Sequence, residues 1–177
     1  MTAAAHPFTV ETHHFADDGT VPNNPLPLVL YRGALAEKGD RASACERMFD
    51  RNGWPDAWRN GIYAHHHYHS TAHEVLGIAA GKARVRLGGE GGQSVELRAG
   101  DVVVIPAGVA HKRESASPDL LVIGAYPRGQ SPDLCRAEAD THDRSLDRIA
   151  AVPLPAADPV TGRADPLLAC WHRPDPD

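Results

Sequence analysis

The feature that most constrains the fold is a run of short segments between residues 62 and 126, each with the pattern of a β-strand. In Lys82–Leu87 apolar and charged residues alternate at every position, so successive side chains would lie on opposite faces of a half-buried strand. The segment VVVIP at 102–106 is a buried run, and turns such as GGEGG at 88–92 separate the segments. Strands of about five to seven residues at this spacing predict an all-β fold, an antiparallel sandwich or barrel.

The strands predicted in this way are Leu26–Leu35, Ile62–His69, Val75–Ala80, Lys82–Leu87, Ser94–Arg98, 102–106 and Leu120–Tyr126. Pro27 places the first of them at an edge or entry position of a sheet. Asp40–Asn52 has apolar residues at helical spacing and predicts a helix, which Gly53 and Pro55 terminate. A second helix is predicted near Leu134–Ala139, so helices are expected only at the margins of the β-structure.

The length of 177 residues predicts one domain. Within it we expect a core barrel over about 26–127, an N-terminal arm over 1–25 and a C-terminal extension over 128–177. The 16 glycines and 15 prolines are spread along the chain, as in a protein of many short strands joined by turns. No internal repeat or linker argues for a second domain.

Composition and charge narrow the classes of partner. The net charge is −5 with acidic and basic residues interspersed, so no basic stripe indicates a nucleic acid or an anionic membrane. No apolar run approaches the roughly 18 residues of a membrane span, and the chain does not begin with the pattern of a secretory signal. The 3 widely spaced cysteines exclude a disulfide framework and a zinc ribbon. We therefore expect a cytoplasmic protein whose partners are small molecules or proteins.

Histidine is concentrated in the centre of the chain. Five of the 11 histidines fall between residues 65 and 73. Residues two apart in a strand share a face, so the imidazoles of His67 and His69 would project side by side. Glu74 would follow on the returning strand. His111, which comes after a buried strand and a Pro-x-Gly turn, is the candidate for a fourth metal ligand.

Two spaced motifs contain these residues. The chain reads G-x5-H-x-H-x4-E-x6-G from Gly61 to Gly81 and G-x5-P-x-G-x2-H from Gly100 to His111. The pair resembles the two conserved motifs of the cupin superfamily, except that Ser115 stands at the position of the final Asn of the second motif. More loosely, the whole chain resembles the YjlB-type cupins through FADDGTVPNNPLPLVLYRGAL near the start and HHHYHSTAHEVLG in the centre.

The resemblance implies a double-stranded β-helix, a jelly-roll barrel with a metal ion inside its mouth. The ligands that it implies are His67, His69, Glu74 and His111. The ion would be one divalent transition metal, and iron, manganese, nickel, cobalt and zinc all suit such ligands. Similar cupins are commonly dimers, and the N-terminal strand Leu26–Leu35 would supply the unpaired edge for a homodimer. A hydrogen-bonded polar core without a metal is the alternative interpretation of the same residues.

Four further residues are candidates for contact with a substrate. Tyr63 and His65 have the parity that faces the cavity in their predicted strand. Arg113 and Ser115 share the parity of the last ligand. These side chains would orient a substrate or move a proton, and Arg113 would anchor a carboxylate. His65 is also an alternative metal ligand.

Two functions fit these expectations. The first is a metalloenzyme of oxygenase, isomerase or lyase type, which acts on a small oxygenated metabolite at an open position of the metal. The second is a non-catalytic cupin that binds or senses a small molecule. The fold supports either function, and only turnover distinguishes them.

Overall fold

The computed structural model describes residues 7–172. The elements in chain order are β1 (Thr9–Phe15), β2 (Asn24–Arg32), α1 (Arg41–Arg51), β3 (Trp58–Asn60), β4 (His67–Tyr68), β5 (Glu74–Ala80), β6 (Lys82–Leu87), β7 (Gln93–Arg98), β8 (Val102–Ile105), β9 (His111–Ala116), β10 (Leu121–Ala125), β11 (Cys135–Arg136), α2 (Ala139–Ala151) and α3 (Leu167–Cys170). One sheet has six strands in the order β1-β2-β8-β5-β10-β3, and the other has five in the order β11-β4-β9-β6-β7. These two antiparallel sheets confirm the predicted jelly-roll fold.

The side chains that alternate inward fill the space between the two sheets. Ala83, Val85 and Leu87 of β6 are buried there, whereas Lys82 and Arg84 are exposed on the outer face. The pattern of Lys82–Leu87 thus predicted both the bounds and the faces of this strand. The residues of the six-stranded sheet in the same core are Leu28, Leu30, Leu76, Ile78, Val103, Ile105 and Val122.

The opposite face of the six-stranded sheet is covered by α1 and by the C-terminal segment. Cys45 and Phe49 of α1 and Trp171, which follows α3, are fully buried against this face. Gly77 of β5 permits the close approach, because a Cβ at that position would lie 2.5 Å from Cys45 Sγ. The central strands are therefore buried on both faces, which explains the continuous apolar run of β8.

The helix predicted at Asp40–Asn52 is confirmed as α1. Asp40 is its N-cap, and the carboxylate accepts a hydrogen bond from Ser43 N at 3.1 Å. At the other end Gly53 has a φ of 86°, a conformation that glycine adopts without strain. None of the helices within residues 7–172 is long and apolar enough to span a membrane.

The N-terminal region differs from the predicted extended arm. Residues 1–6 lie outside the described part, but β1 pairs with β2 in antiparallel register. The strand β2 has β1 on one side and β8 on the other, so it is not the unpaired edge that the predicted dimer contact required. β1 forms that edge of the sheet instead. The homodimer stays a prediction, now with β1 as the available edge.

Two local predictions were wrong. Within Ile62–His69 only the two residues of β4 pair as a strand, and the preceding loop passes along the cavity described below. No helix begins at Leu134; β11 lies there and pairs with β4, and α2 starts only at Ala139. The C-terminal extension therefore supplies a strand to the sheet that carries His67, while residues 173–177 lie outside the described part.

Candidate metal centre

Three imidazoles and one carboxylate line a single cavity of the jelly roll. His67 of β4 and His111 of β9 are register partners, so their side chains lie beside each other. His69 follows β4 directly, and Glu74 begins β5. Glu74 has the same parity as Leu76, whose side chain lies in the core between the sheets, and this parity directs the carboxylate inward.

The three imidazoles cluster, and the carboxylate contacts two of them. Each histidine offers one ring nitrogen, and these three nitrogens lie within 4.8 Å of one another. Glu74 Oε2 lies 3.0 Å from His69 Nε2, and Glu74 Oε1 lies 3.1 Å from His111 Nε2. His67 is buried, and even His69 has only 10% of its side chain exposed. The structure thus brings together the four residues that the resemblance implied.

Hydrogen bonds on the far side of each ring determine which nitrogen faces the centre. The Nδ1 atoms of His67, His111 and His69 contact the backbone carbonyl oxygens of His65, Val109 and Asp133 respectively. A carbonyl oxygen only accepts, so each Nδ1 donates, and a neutral ring then presents the lone pair of Nε2.

The carboxylate of Glu74 is also an acceptor, and two of these nitrogens lie against it. A ring nitrogen and a carboxylate oxygen, both acceptors, lie this close only when a cation lies between them. That cation is either a proton on the ring or a metal ion. Three imidazole nitrogens and one carboxylate are a donor set that divalent transition metals take in proteins. The residues present therefore fit a divalent metal ion.

Burial and charge shift the pKa values of this group in different directions. Burial and the neighbouring charge of His111 lower the pKa of His67 to about 3. Burial also opposes the protonation of His69, but the charge and hydrogen bond of Glu74 outweigh it and raise the pKa of His69 to about 9. For Glu74, burial is outweighed by the charge of His69 and by hydrogen bonds from both rings, so its pKa lies well below the usual range. In the metal-free protein, His69 and Glu74 therefore form an ion pair.

The cavity has a volume of about 560 Å³, which lies in the range of small-molecule sites. Its wall is largely apolar or aromatic and includes Trp58, Ile62, Leu76, Tyr126, Pro132 and Leu134. Asn60 and Arg113 add polar groups. A small molecule in the cavity would contact both this wall and the four central side chains.

Two of the four predicted substrate contacts line this cavity. Tyr63 is 52% exposed, and its ring packs against those of His65 and His67 at 5.1 Å each. Arg113 is half-buried and forms part of the wall. His65 stacks on Tyr63 without lining the cavity, and it is not among the histidines whose ring nitrogens cluster. Its Nε2 is buried without a hydrogen-bond partner among the described residues.

The prediction for Ser115 was wrong. The pairing of β6 with β9 is irregular, because Val85 lies opposite Arg113 while the preceding residue, Arg84, lies opposite Ser115. The residue between the two partners, Glu114, is bulged. A bulge reverses the alternation beyond it, so Ser115 is exposed on the outer face and does not line the cavity.

Tyr126 lines the cavity and was not a candidate from the sequence. Its hydroxyl accepts a hydrogen bond from Trp58 Nε1 at 3.1 Å, and its ring meets that of His69 edge-on at 5.7 Å. Burial and the charge of Glu74 raise its pKa above the usual value. A Cβ at Gly124 would lie 2.0 Å from the Trp58 ring, so this arrangement requires glycine there. The sequence signal that could have found Tyr126 is its position two residues after Gly124, which places its side chain just after β10 on the inward face.

Asp133 was also missed. Its carbonyl oxygen holds His69, and its carboxylate accepts from Ser70 N at 2.6 Å and from Ser70 Oγ. Thr71 Oγ1 donates to the carbonyl of Ser131 at 2.7 Å. These bonds fasten the 131–134 segment across the cavity wall, far along the chain from the residue that it orients.

Comparison with known proteins gives two findings on the family. The family model described as Cupin domain matches residues 59–123. The chain is 43% identical over 162 residues to the protein "Uncharacterized protein YjlB" of Bacillus subtilis (strain 168), with 91% of this chain and 96% of that protein covered.

The solved structures to which the chain is similar are more remote. An 11S allergen from Cocos nucifera L. is 23% identical with a TM-score of 0.34, over 44% of this chain and 24% of the allergen. The chain thus spans about a quarter of that protein. A dTDP-6-deoxy-D-glucose-3,5-epimerase from Legionella pneumophila Philadelphia 1 is 14% identical with a TM-score of 0.39, over 67% of this chain and 72% of the epimerase.

Proposed function

Since the chain belongs to the cupin superfamily, we propose that it holds one divalent transition-metal ion and acts as a metalloenzyme on a small oxygenated molecule. The ligands are the Nε2 atoms of His67, His69 and His111 and the carboxylate of Glu74. The observation that supports this proposal is that three imidazole nitrogens lie within 4.8 Å of one another and that the Glu74 carboxylate contacts two of these rings. Iron, manganese, nickel, cobalt and zinc all suit this set, and the reaction is of oxygenase, isomerase or lyase type.

The residues of the chain divide the work around the ion. When bound, the ion would supply a Lewis acid to a small molecule in the cavity. The Nδ1 hydrogen bonds hold each imidazole in its tautomer and orientation. Glu74 serves as a ligand and not as the general base, because the charge of the ion lowers the proton affinity of its carboxylate. Trp58, Ile62 and Leu76 exclude water, and Tyr63 and Arg113 orient the substrate.

Elemental analysis tests this assignment directly. Untagged protein purified without chelators should contain about one transition-metal ion per chain. Glu74→Gln removes the only charged ligand, and metal affinity should fall by more than the roughly 100-fold that loss of an outer partner costs. His65→Ala should leave the metal content unchanged, since its nitrogens do not converge on the centre.

This comparison also has a contradicting outcome. If His65→Ala empties the site while Glu74→Gln leaves it filled, the ligand assignment is wrong, and His65 would replace Glu74 in contact with the ion. If wild-type protein takes up no divalent ion on titration with cobalt(II) or nickel(II), the four side chains are a hydrogen-bonded polar core and the proposed function fails.

Metal binding should depend on pH in a definite direction. The pKa of His69 near 9 means that its Nε2 carries a proton in the metal-free protein at neutral pH. The ion must displace that proton, so affinity should rise with pH up to about 9, by about tenfold per unit. Calorimetry at pH 7.5 in two buffers of different ionisation enthalpy should show release of about one proton per ion bound. A binding enthalpy that is the same in both buffers would contradict this.

A further inference from the structure

The guanidinium of Arg113 has a different environment from those of the neighbouring arginines. The two arginines that flank its register partner on β6, Arg84 and Arg86, both pair with Glu114 on the outer face of the sheet, at 3.3 and 2.9 Å. Arg113 lies opposite Val85, on the inner face, and lines the cavity. Its backbone N–H donates to Tyr63 O, but within residues 7–172 its guanidinium has no hydrogen-bond or ion-pair partner.

An arginine of this kind favours an anion. A guanidinium presents a planar fork of donors that matches a carboxylate. A half-buried guanidinium is only partly hydrated, so pairing with an anion stabilises it. With a divalent ion in place, its two charges exceed the single negative charge of Glu74, and Arg113 adds another positive charge. The other acid that lines the cavity, Asp133, directs its carboxylate to Ser70 and Cys135.

The rest of the cavity indicates what the anion carries. The wall offers the flat ring of Trp58 and the aliphatic side chains of Ile62 and Leu76. At the wall, Tyr63 and Leu134 are 52% and 53% exposed, so both offer apolar surface to a molecule in the cavity. A ligand with an apolar or aromatic body would cover these surfaces.

We propose that this cavity binds a small carboxylate with an apolar body, whose carboxylate pairs with Arg113. A phosphate is disfavoured, because Arg113 is the only arginine or lysine among the described residues of the wall. The inference rests on the proposed function, since it assigns a ligand class to the same site.

Trp58 provides a readout that does not depend on turnover. The other tryptophans, Trp54 and Trp171, are fully buried, so a ligand in the cavity should change chiefly the fluorescence of Trp58. Phenylacetate and its neutral analogue phenylacetamide are matched probes of the carboxylate. They are titrated into wild-type protein, Arg113→Gln and the outer-face control Arg84→Gln, each metal-free and loaded with cobalt(II). Trp58→Phe should remove the signal.

Wild-type protein and Arg84→Gln should bind phenylacetate at least about tenfold more tightly than phenylacetamide, the preference that a hydrogen-bonded charge pair supplies. In the metal-free state, Arg113→Gln should bind both equally weakly, and Arg113→Lys, which keeps the charge without the fork, should restore part of the preference. Equal binding of the two probes by metal-free wild-type protein overturns the inference, as does a preference that persists in metal-free Arg113→Gln. Inorganic phosphate that displaces phenylacetate at equal concentration also overturns it. If the metal-free protein prefers phenylacetate but takes up no cobalt(II), only the proposed metal function is rejected.

Discussion

Alanine in place of both His67 and His111 should abolish metal binding. The two rings are register partners with centroids 4.0 Å apart, so the double variant removes two of the three imidazoles from one side of the site. His69 and Glu74 remain, but they satisfy each other as an ion pair at 3.0 Å. A single ligand pair already joined by a proton holds a divalent ion far more weakly than four converging donors.

Thermal unfolding measures this loss without knowledge of the substrate. At a metal concentration of about 100 times Kd, a ligand that binds only the folded state stabilises it by about 2.7 kcal/mol. For a domain of this size that corresponds to a rise in Tm of roughly 5–10 °C. Wild-type protein should show this rise with its metal, and the double variant should show none.

The matched control replaces two exposed histidines, His14 and His172, by alanine. This variant removes as many imidazoles and should retain both the metal content and the metal-dependent rise in Tm. If the double variant of His67 and His111 also keeps its metal, the bound ion is held elsewhere on the chain. If both double variants lose the metal-dependent rise in Tm, the rise depends on the number of histidines and not on this site.

The strands that the sequence predicted well are those whose pattern is local. Lys82–Leu87 alternates along its own length, and the structure has a strand with the same bounds. The helix α1 was predicted because its apolar spacing and the Gly53 and Pro55 that terminate it also lie within one segment. In both cases a side chain's environment follows from its immediate neighbours, which is the information that a single sequence carries.

The elements that the sequence missed depend on distant partners. β1 has the sequence TVETHHF, whose residues are mostly exposed, and it is a strand because it pairs with β2. β11 has only two residues and exists through its pairing with β4, far back along the chain. Neither has an apolar period of its own, so no local pattern distinguishes them from loops.

The candidate site shows the same division. Spacing and resemblance implied His67, His69, Glu74 and His111, which lie close together in the structure. The carbonyl of Asp133 that orients one of these rings comes from a segment whose position only tertiary contacts determine. Ser115 failed for a related reason, because one bulged residue reverses every later side chain of its strand and leaves no mark in the alternation.

Replacing Asp158 by alanine should strongly lower the free energy of unfolding. Asp158 is completely buried between the C-terminal segment and the six-stranded sheet. Its Oδ2 accepts from the Tyr31 hydroxyl at 2.5 Å and from Leu167 N at 3.0 Å. Its Oδ1 accepts from Val160 N at 2.7 Å and from Thr161 N at 3.0 Å. One carboxylate thus fastens the segment that covers the outer face of β2.

The alanine variant would leave four donors without their acceptor, most of them buried, and each unsatisfied donor costs about 1–3 kcal/mol. Part of this is offset, because burial raises the pKa of Asp158 and its charge is costly to hold there. We expect a net loss of about 4 kcal/mol in the free energy of unfolding, measured by urea denaturation, and a Tm lower by roughly 10 °C.

Tyr31→Phe removes one of the four bonds and should cost only about 1 kcal/mol. Asp147→Ala, an exposed position on α2, is the matched control and should stay within about 0.5 kcal/mol of wild type. If Asp158→Ala is as stable as that control, the C-terminal segment is held by its apolar contacts with the sheet and not by this carboxylate.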